Sequence, residues 1–322
     1  MLGVYRFLMI SLLNVKKTFG TRVALYGLTL EVRRGEIFGL LGHNGAGKST
    51  AIGMMLGQVW PSGGAVNVCG HDVTTHRALA LQKVGAIFES PAFYDYLSGR
   101  RNLQILSQYS APTPANSINE VLEWVGLTGR ENSKVRTYSH GMRARLAIAQ
   151  ALLPRPELVI LDEPGSGLDP EGIAEMRQTI LRLHREMGLT ILLSSHLLSE
   201  VEQLCSRIAV LNQGRKVFDG RIADAKAAPG RLMLKTPDFP KAAALLLEQG
   251  IITGSSDGKF ITLSEGHGVA EAVKVLVTAN IPVDGIWPHE PTLEDFYMEL
   301  IKGPPAKVSN IAQQSVPAFP NG

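Results

Sequence analysis

Residues 42–49 read Gly42-His43-Asn44-Gly45-Ala46-Gly47-Lys48-Ser49, and Thr50 follows. This is a complete phosphate-binding loop, and its flanks are those such a loop needs. Upstream, Ile37-Phe38-Gly39-Leu40-Leu41 has the length and apolarity of a buried strand; downstream, residues 49–56 suit a helix with Ile52, Met55 and Leu56 on one side. A glycine-rich turn between strand and helix gathers backbone N–H groups into one concavity, and the positive end of the helix dipole adds to their pull on an anion. Lys48 reaches β- and γ-phosphates in such a loop, and the Ser49 hydroxyl ligates Mg²⁺. The stretch predicts an α/β unit that binds a nucleoside triphosphate.

The remaining bulk properties narrow the class. A chain of 322 residues holds one large domain and a smaller one. A net charge of +3, with Lys and Arg scattered, gives no footprint for nucleic acid. Cys69 and Cys205 have no metal-ligand spacing and read as reduced thiols of a cytosolic protein. No window has the run of about 18 apolar residues that a membrane-spanning helix needs. Residues 1–13 are apolar but carry Arg6 and no small-residue cleavage site, which argues against a signal peptide, and Met9 is an alternative start.

Residues 10–36 read as short strands broken by turns at Phe19-Gly20-Thr21 and Arg33-Arg34-Gly35, an antiparallel sheet ahead of the loop. Residues 91–150 turn helical, with Ser98 as one cap and Ser117 with Glu120 as a capping box for the next helix. Buried strands resume at 158–161 and 190–193 around a helix at 171–187. A hairpin about Asn212-Gln213-Gly214 closes a first domain of residues 10–223. A composition shift at 225–230 precedes a strand–helix–strand–strand–helix–strand order over 231–302, similar to a ferredoxin-like split unit. A terminal helix follows Thr292 and Asp295, another capping box, and residues 303–322 have the composition of a disordered tail.

The second chemical stretch is Leu158-Val159-Ile160-Leu161-Asp162-Glu163-Pro164. Four apolar residues make a buried strand whose C-terminal end delivers two carboxylates, at the edge where parallel sheets bind ligands. Asp162 is placed to hold Mg²⁺, directly or through water, and Glu163 to polarise an attacking water.

With these stretches in order, residues 10–220 resemble an ATP-binding-cassette nucleotide-binding subunit. The resemblance implies a P-loop NTPase fold with a mixed-sheet core, an antiparallel subdomain and a helical insertion, using ATP and Mg²⁺. It implies that Phe19 stacks on adenine and that residues 42–50 hold the phosphates, with Lys48 also catalytic. Tyr138-Ser139-His140-Gly141-Met142 falls at the family's signature loop, Gly167-Leu168-Asp169-Pro170 at its dimer-contact loop and His196 at its switch histidine. Ser139, Gly141 and Asp169 would then touch ATP bound to a second, head-to-tail copy. A helix from about Met142 would aim its N-terminal dipole at that γ-phosphate.

Two departures locate the chain within the family. His140 and Met142 stand where the commonest signature has Gly and Gln, as in similar loops of antibiotic-export cassettes. Glu89, in Ile87-Phe88-Glu89-Ser90-Pro91, stands where a Mg²⁺-touching glutamine is usual, and bacitracin-type exporters are similar here. Glu89 can ligate a cation but cannot donate as an amide does. The closing Pro291-Thr292-Leu293-Glu294-Asp295-Phe296-Tyr297 resembles the accessory domain of drug-export cassettes, with a dimer-stabilising role. The resemblance implies the ATPase of an antibiotic or drug exporter, held at the cytoplasmic face of the plasma membrane by a separate transmembrane permease. The rival is a soluble cassette ATPase acting on ribosomes or DNA. Such relatives usually carry two cassettes or a long coiled coil, and the interval from Gly47 to Ser139 leaves no room for the latter.

Overall fold

The computed structural model describes residues 8–88, 92–109, 116–226, 231–289 and 292–302. Strands β1 (Leu8–Phe19) and β2 (Arg22–Arg33) form one antiparallel hairpin of twelve-residue strands, longer than the sequence pattern suggests. Bulges interrupt the alternation, with register shifts between Leu12 and Val15 and between Lys17 and Thr18. Gly27, at φ 105°, serves one of them: a Cβ there would stand 2.6 Å from Asn14 Oδ1. β4 (Gly63–Val68) pairs with the other edge of β1, and β5 (His71–Asp72) completes a four-stranded sheet.

The second sheet contains β3 (Ile37–Leu41), β6 (Val84–Ile87), β7 (Leu158–Asp162), β8 (Thr190–Ser195), β9 (Arg207–Asn212) and β10 (Arg215–Arg221). Their order is β10-β9-β3-β8-β7-β6, parallel except for the β9–β10 hairpin. β3, β7 and β8 are buried along their whole length, which is why they read as unbroken apolar runs. On one face, Leu158, Ile160 and Leu192 share a core with helix α1 (Lys48–Met55) and the antiparallel sheet. On the other, Val159, Leu161 and Leu193 pack with helices α5 (His140–Leu152), α6 (Pro170–Met187) and α7 (Leu198–Leu204). Helix α1 thus lies between two sheets and is buried nearly all round.

Between β5 and β7 come α2 (Arg77–Leu81), α3 (Gly99–Ser107), α4 (Ser117–Trp124) and α5. Ser98 caps α3, its Oγ accepting the Arg101 N–H at 3.2 Å. The box expected at α4 does not form. Asn116 holds the cap position, Ser117 falls one residue inside the helix and is buried, and Glu120 turns to Arg155 at 2.9 Å. The first domain also runs further than the composition suggests, because α8 (Ile222–Lys226) continues past residue 225. Glu89 and residues 227–230 and 303–322 lie outside the described residues.

The C-terminal strands β11 (Arg231–Lys235), β12 (Ile252–Ser256), β13 (Phe260–Leu263) and β14 (Gly285–Pro288) form a separate sheet of order β12-β13-β11-β14. All its neighbours are antiparallel, the arrangement of a split βαββαβ unit. Helices α9 (Phe239–Glu248) and α10 (Val269–Thr278) cover it, and Leu232, Leu246, Ile261 and Leu276 belong to its own core. The last helix, α11 (Leu293–Lys302), instead packs on the first domain, with Leu293 fully buried in that core.

Helix α5 approaches β6 so closely that a Cβ on Gly85 would sit 2.0 Å from the Ala151 carbonyl oxygen. Backbone cannot yield as a flexible side chain does, so Gly85→Ala is expected to destabilise the protein by about 1–3 kcal/mol. A lowered denaturation midpoint checks this, and an unchanged one contradicts the packing.

Candidate active site

The loop after β3 is built by close approach. Gly42 (φ 155°) faces β9, where a Cβ would stand 2.6 Å from the Leu211 carbonyl oxygen. Gly47 (φ 108°, left-handed) is the N-cap of α1, and a Cβ on it would meet Leu25 Cδ2 at 2.8 Å. The Ala46 N–H closes a turn to the His43 carbonyl at 3.0 Å, and the Ala46 carbonyl accepts the Gly214 N–H at 3.0 Å. No side chain caps α1, so the first-turn amides of Lys48, Ser49 and Thr50 have no intrahelical acceptor. Lys48 is buried (5% exposed), its Nζ donating to the Gly42 carbonyl at 2.6 Å and standing 3.5 Å from Glu163 Oε1. A buried ammonium needs such partners.

Asp162 ends β7 and Glu163 follows it, both beside Ser194 on β8. The Ser194 hydroxyl donates to buried Asp162, and its oxygen accepts the Glu163 N–H at 3.1 Å. Glu163 has φ 52°, a left-handed conformation costly for a side-chain-bearing residue. That turn sends its carboxylate back over the sheet edge, where Oε2 lies 2.5 Å from His196 Nδ1 and 3.3 Å from the His196 N–H. Lys48, Asp162, Glu163 and His196 are therefore brought to one edge.

A cavity of about 710 Å³ opens over the loop, lined by Phe19, Asn44, Lys48, Ser49, Thr50 and Glu163 among others. Phe19 is half exposed at its far wall, with Lys17 Nζ 4.6 Å from the ring centroid. Ser139, Gly141 and Asp169 line a different cavity, of about 480 Å³. Ser139 is the N-cap of α5, its Oγ accepting the Met142 N–H at 3.2 Å, so Gly141 lies inside the first turn rather than before it. Asp169 caps α6 through the Gly172 N–H at 2.9 Å. Burial pushes the Cys69 thiol up to about 11 and raises that of Cys205 too, so both are poor nucleophiles.

The role of Ser194 is not apparent in the sequence, where it only ends an apolar strand; a hydroxyl at that position, two residues before a histidine, is the available signal. Asn212, whose Oδ1 lies 3.1 Å from His43 Nε2, and the cavity residues Arg22 and Gln213 are equally silent. Ser194→Ala leaves a buried carboxylate without its donor, and a loss of about 1–3 kcal/mol in stability is expected by denaturant titration.

The family model for ABC transporters matches residues 25–166. The chain is 40% identical over 291 residues to the ABC transporter ATP-binding protein YhcH of Bacillus subtilis, covering 90% of this chain and 95% of that protein. It is 36% identical over 294 residues to the bacitracin transport ATP-binding protein BcrA of Bacillus licheniformis, covering 90% and 96%. Among solved structures it is similar to a dimeric ATP-binding cassette in a post-hydrolysis state bound to ADP and Pi, with a TM-score of 0.60, 24% identity and coverage of 66% and 98%. Sequence and fold agree that the chain belongs to the ABC transporter ATP-binding proteins, the ATPases of that family.

Proposed function

We propose that the chain is the ATP-hydrolysing subunit of an exporter for an antibiotic- or drug-like molecule, working through a separate transmembrane subunit. The observation that carries the catalytic half is the hold on Glu163: left-handed backbone, amide on Ser194, carboxylate on His196. Such a carboxylate is pre-oriented toward the edge where the loop offers its amides. The export half rests on similarity to the bacitracin transport protein along nine-tenths of the chain.

In this reading Phe19 stacks on adenine, and residues 42–50 surround the phosphates. Lys48 turns from Glu163 to the β- and γ-phosphates, freeing the carboxylate for water. Ser49 and Asp162 supply hard oxygen ligands suited to Mg²⁺, with Glu89 as a further candidate; few protein ligands are needed where phosphates and water complete the shell. Bound there, Mg²⁺ would offset charge on the β- and γ-oxygens. Glu163 takes a proton from the attacking water as an oxygen–phosphorus bond forms to the γ-phosphorus and the bond to the ADP oxygen breaks. His196 keeps the carboxylate aimed.

The Ser139 oxygen accepts from Met142 yet keeps its own O–H to donate, so the cap and a phosphate contact are compatible. With Gly141 and Asp169 it would meet ATP held by a second, head-to-tail copy. Among the described residues no helix is long and apolar enough to cross a membrane, and the reading assigns the substrate path to the permease. That permease would hold the chain at the cytoplasmic face of the plasma membrane.

Glu163→Gln is expected to bind ATP within a few-fold of the parent while turnover falls at least about 100-fold. Turnover at the parent rate in a coupled phosphate-release assay would refute the assignment. From gently solubilised membranes the tagged chain should recover a multi-span protein in stoichiometric amount. Recovery with ribosomes or DNA instead would remove the export half and leave the ATPase.

A further inference from the structure

The end of β1 that carries Phe19 is tied to residues 60–62 at three points. The Ser62 N–H donates to the Lys16 carbonyl at 2.8 Å, and the Ser62 Oγ accepts the Thr18 N–H at 3.1 Å. Between them, Lys17 Nζ donates to the Trp60 carbonyl at 2.7 Å. Sheet pairing alone holds this end irregularly: the register of β1 shifts between Lys17 and Thr18 against β2, and between Leu13 and Lys16 against β4. Residues two apart on a strand share a face, and the same Lys17 ammonium that reaches Trp60 lies 4.6 Å from the centroid of the Phe19 ring.

Residues 60–62 also belong to the phosphate end of the site. The chain comes to them from α1, which starts at Lys48, and the Val59 N–H donates back to the Gly53 carbonyl of that helix at 3.0 Å. Gly53 and Val59 are in close contact, since a Cβ on Gly53 would stand 3.0 Å from Val59 Cγ2. One short path of bonds thus runs from the phosphate loop along α1, through Val59 and Trp60, to Lys17 and the Phe19 ring. Phe19 is half exposed and lines the cavity over the loop, whereas Lys17 is not among its lining residues. The ring face that Lys17 covers is therefore not the one the cavity meets. A cation on one face of an aromatic ring fixes the ring and leaves the opposite face to a stacking partner.

We propose that Lys17 is a positioning residue of the nucleotide site: it clamps Phe19 from the side turned away from the cavity and ties it, through the Trp60 carbonyl, to α1. The platform for the base is thereby held at a set distance from the amides that hold the phosphates. The proposal rests on the ATPase reading above and on the stacking role it gives Phe19. Loss of the clamp should act on nucleotide binding rather than on the water-activating carboxylate, which is held by Ser194 and His196.

The test measures Mg-ATP binding in the full-length chain carrying Glu163→Gln, so that turnover does not interfere. Lys17→Met keeps the length of the stem and removes both charge and donor. A dissociation constant weakened about two- to fivefold is expected, the scale of an exposed cation–π contact, with the thermal midpoint held. In the hydrolysing chain the same change should raise KM by a similar factor and leave kcat unaltered, a split that general loosening would not give. A double-mutant cycle isolates the route through the ring: in a Phe19→Leu background the Lys17→Met penalty should vanish. Unaltered binding in Lys17→Met, or an equal penalty with and without the ring, overturns the proposal alone. Parent affinity in Phe19→Leu by itself would remove the stacking role and this proposal while leaving the ATPase. Absence of ATP binding in the chain with Lys17 and Phe19 intact would overturn the ATPase reading as well.

Discussion

Parallel pairing of β3 with β8 and of β8 with β7 sets Leu41 beside Ser195 and Asp162 beside Ser194, and the nucleotide site follows from those two register pairs. Because all three strands run the same way and are buried on both faces, their C-terminal ends emerge together at one edge. The phosphate loop leaves from β3, the two acids from β7 and the histidine from β8. A slip of one residue along β7 would exchange the faces of its side chains and carry Asp162 away from Ser194. The flanking cores resist that slip, since Leu158 and Ile160 pack with α1 while Val159 and Leu161 pack with α5 and α6.

The edge also gathers charged groups, and their arrangement suits an anion. Lys48 is buried and held to a carbonyl and to Glu163, so its positive charge is already desolvated and paired. Displacing Glu163 by a phosphate would exchange one anionic partner for another, without the cost of burying a new cation. The uncapped start of α1 acts in the same direction, since amides with no intrahelical acceptor gain by meeting phosphate oxygens. The strain at Glu163 belongs here too. A left-handed backbone at a side-chain-bearing residue costs about 1–3 kcal/mol and persists because the Ser194 hydroxyl and carbonyl both accept its amide.

What was legible in the chain was whatever local pattern dictates. Ile37 to Leu41 and Leu158 to Leu161 read as strands because burial on both faces leaves no polar position in them. The glycines of the loop announced themselves because only a residue without Cβ fits against Leu211 and Leu25. The turns at residues 19–21 and 33–35 and the antiparallel pairing are legible, but bulges at Asn14 and Gly27 break the alternation and hide the length of the two strands. The Ser117 box failed because spacing alone does not say which residue stands outside the helix, nor that Arg155 claims Glu120 from thirty-five positions away. Ser194 and Glu202 were silent for a related reason: each acts on a partner distant in sequence, Asp162 and Leu293, and nothing local distinguishes them.

In the proposed reading, the two cavities explain why one chain would not complete the chemistry by itself. The one over the phosphate loop and the one at Ser139 share no lining residue, so Ser139, Gly141 and Asp169 stand apart from the Lys48 cavity of their own chain. Ser139 and Asp169 satisfy their own helices while still presenting polar atoms outward, so the second surface is stable with nothing bound to it. A head-to-tail pair would bring each such surface to the other chain's triphosphate and complete two sites at once, as twofold symmetry requires. Helix α11 lies on neither surface. It is fastened to α7 and β10, which leaves the phosphate loop open to ATP and the Ser139 surface open to a second copy.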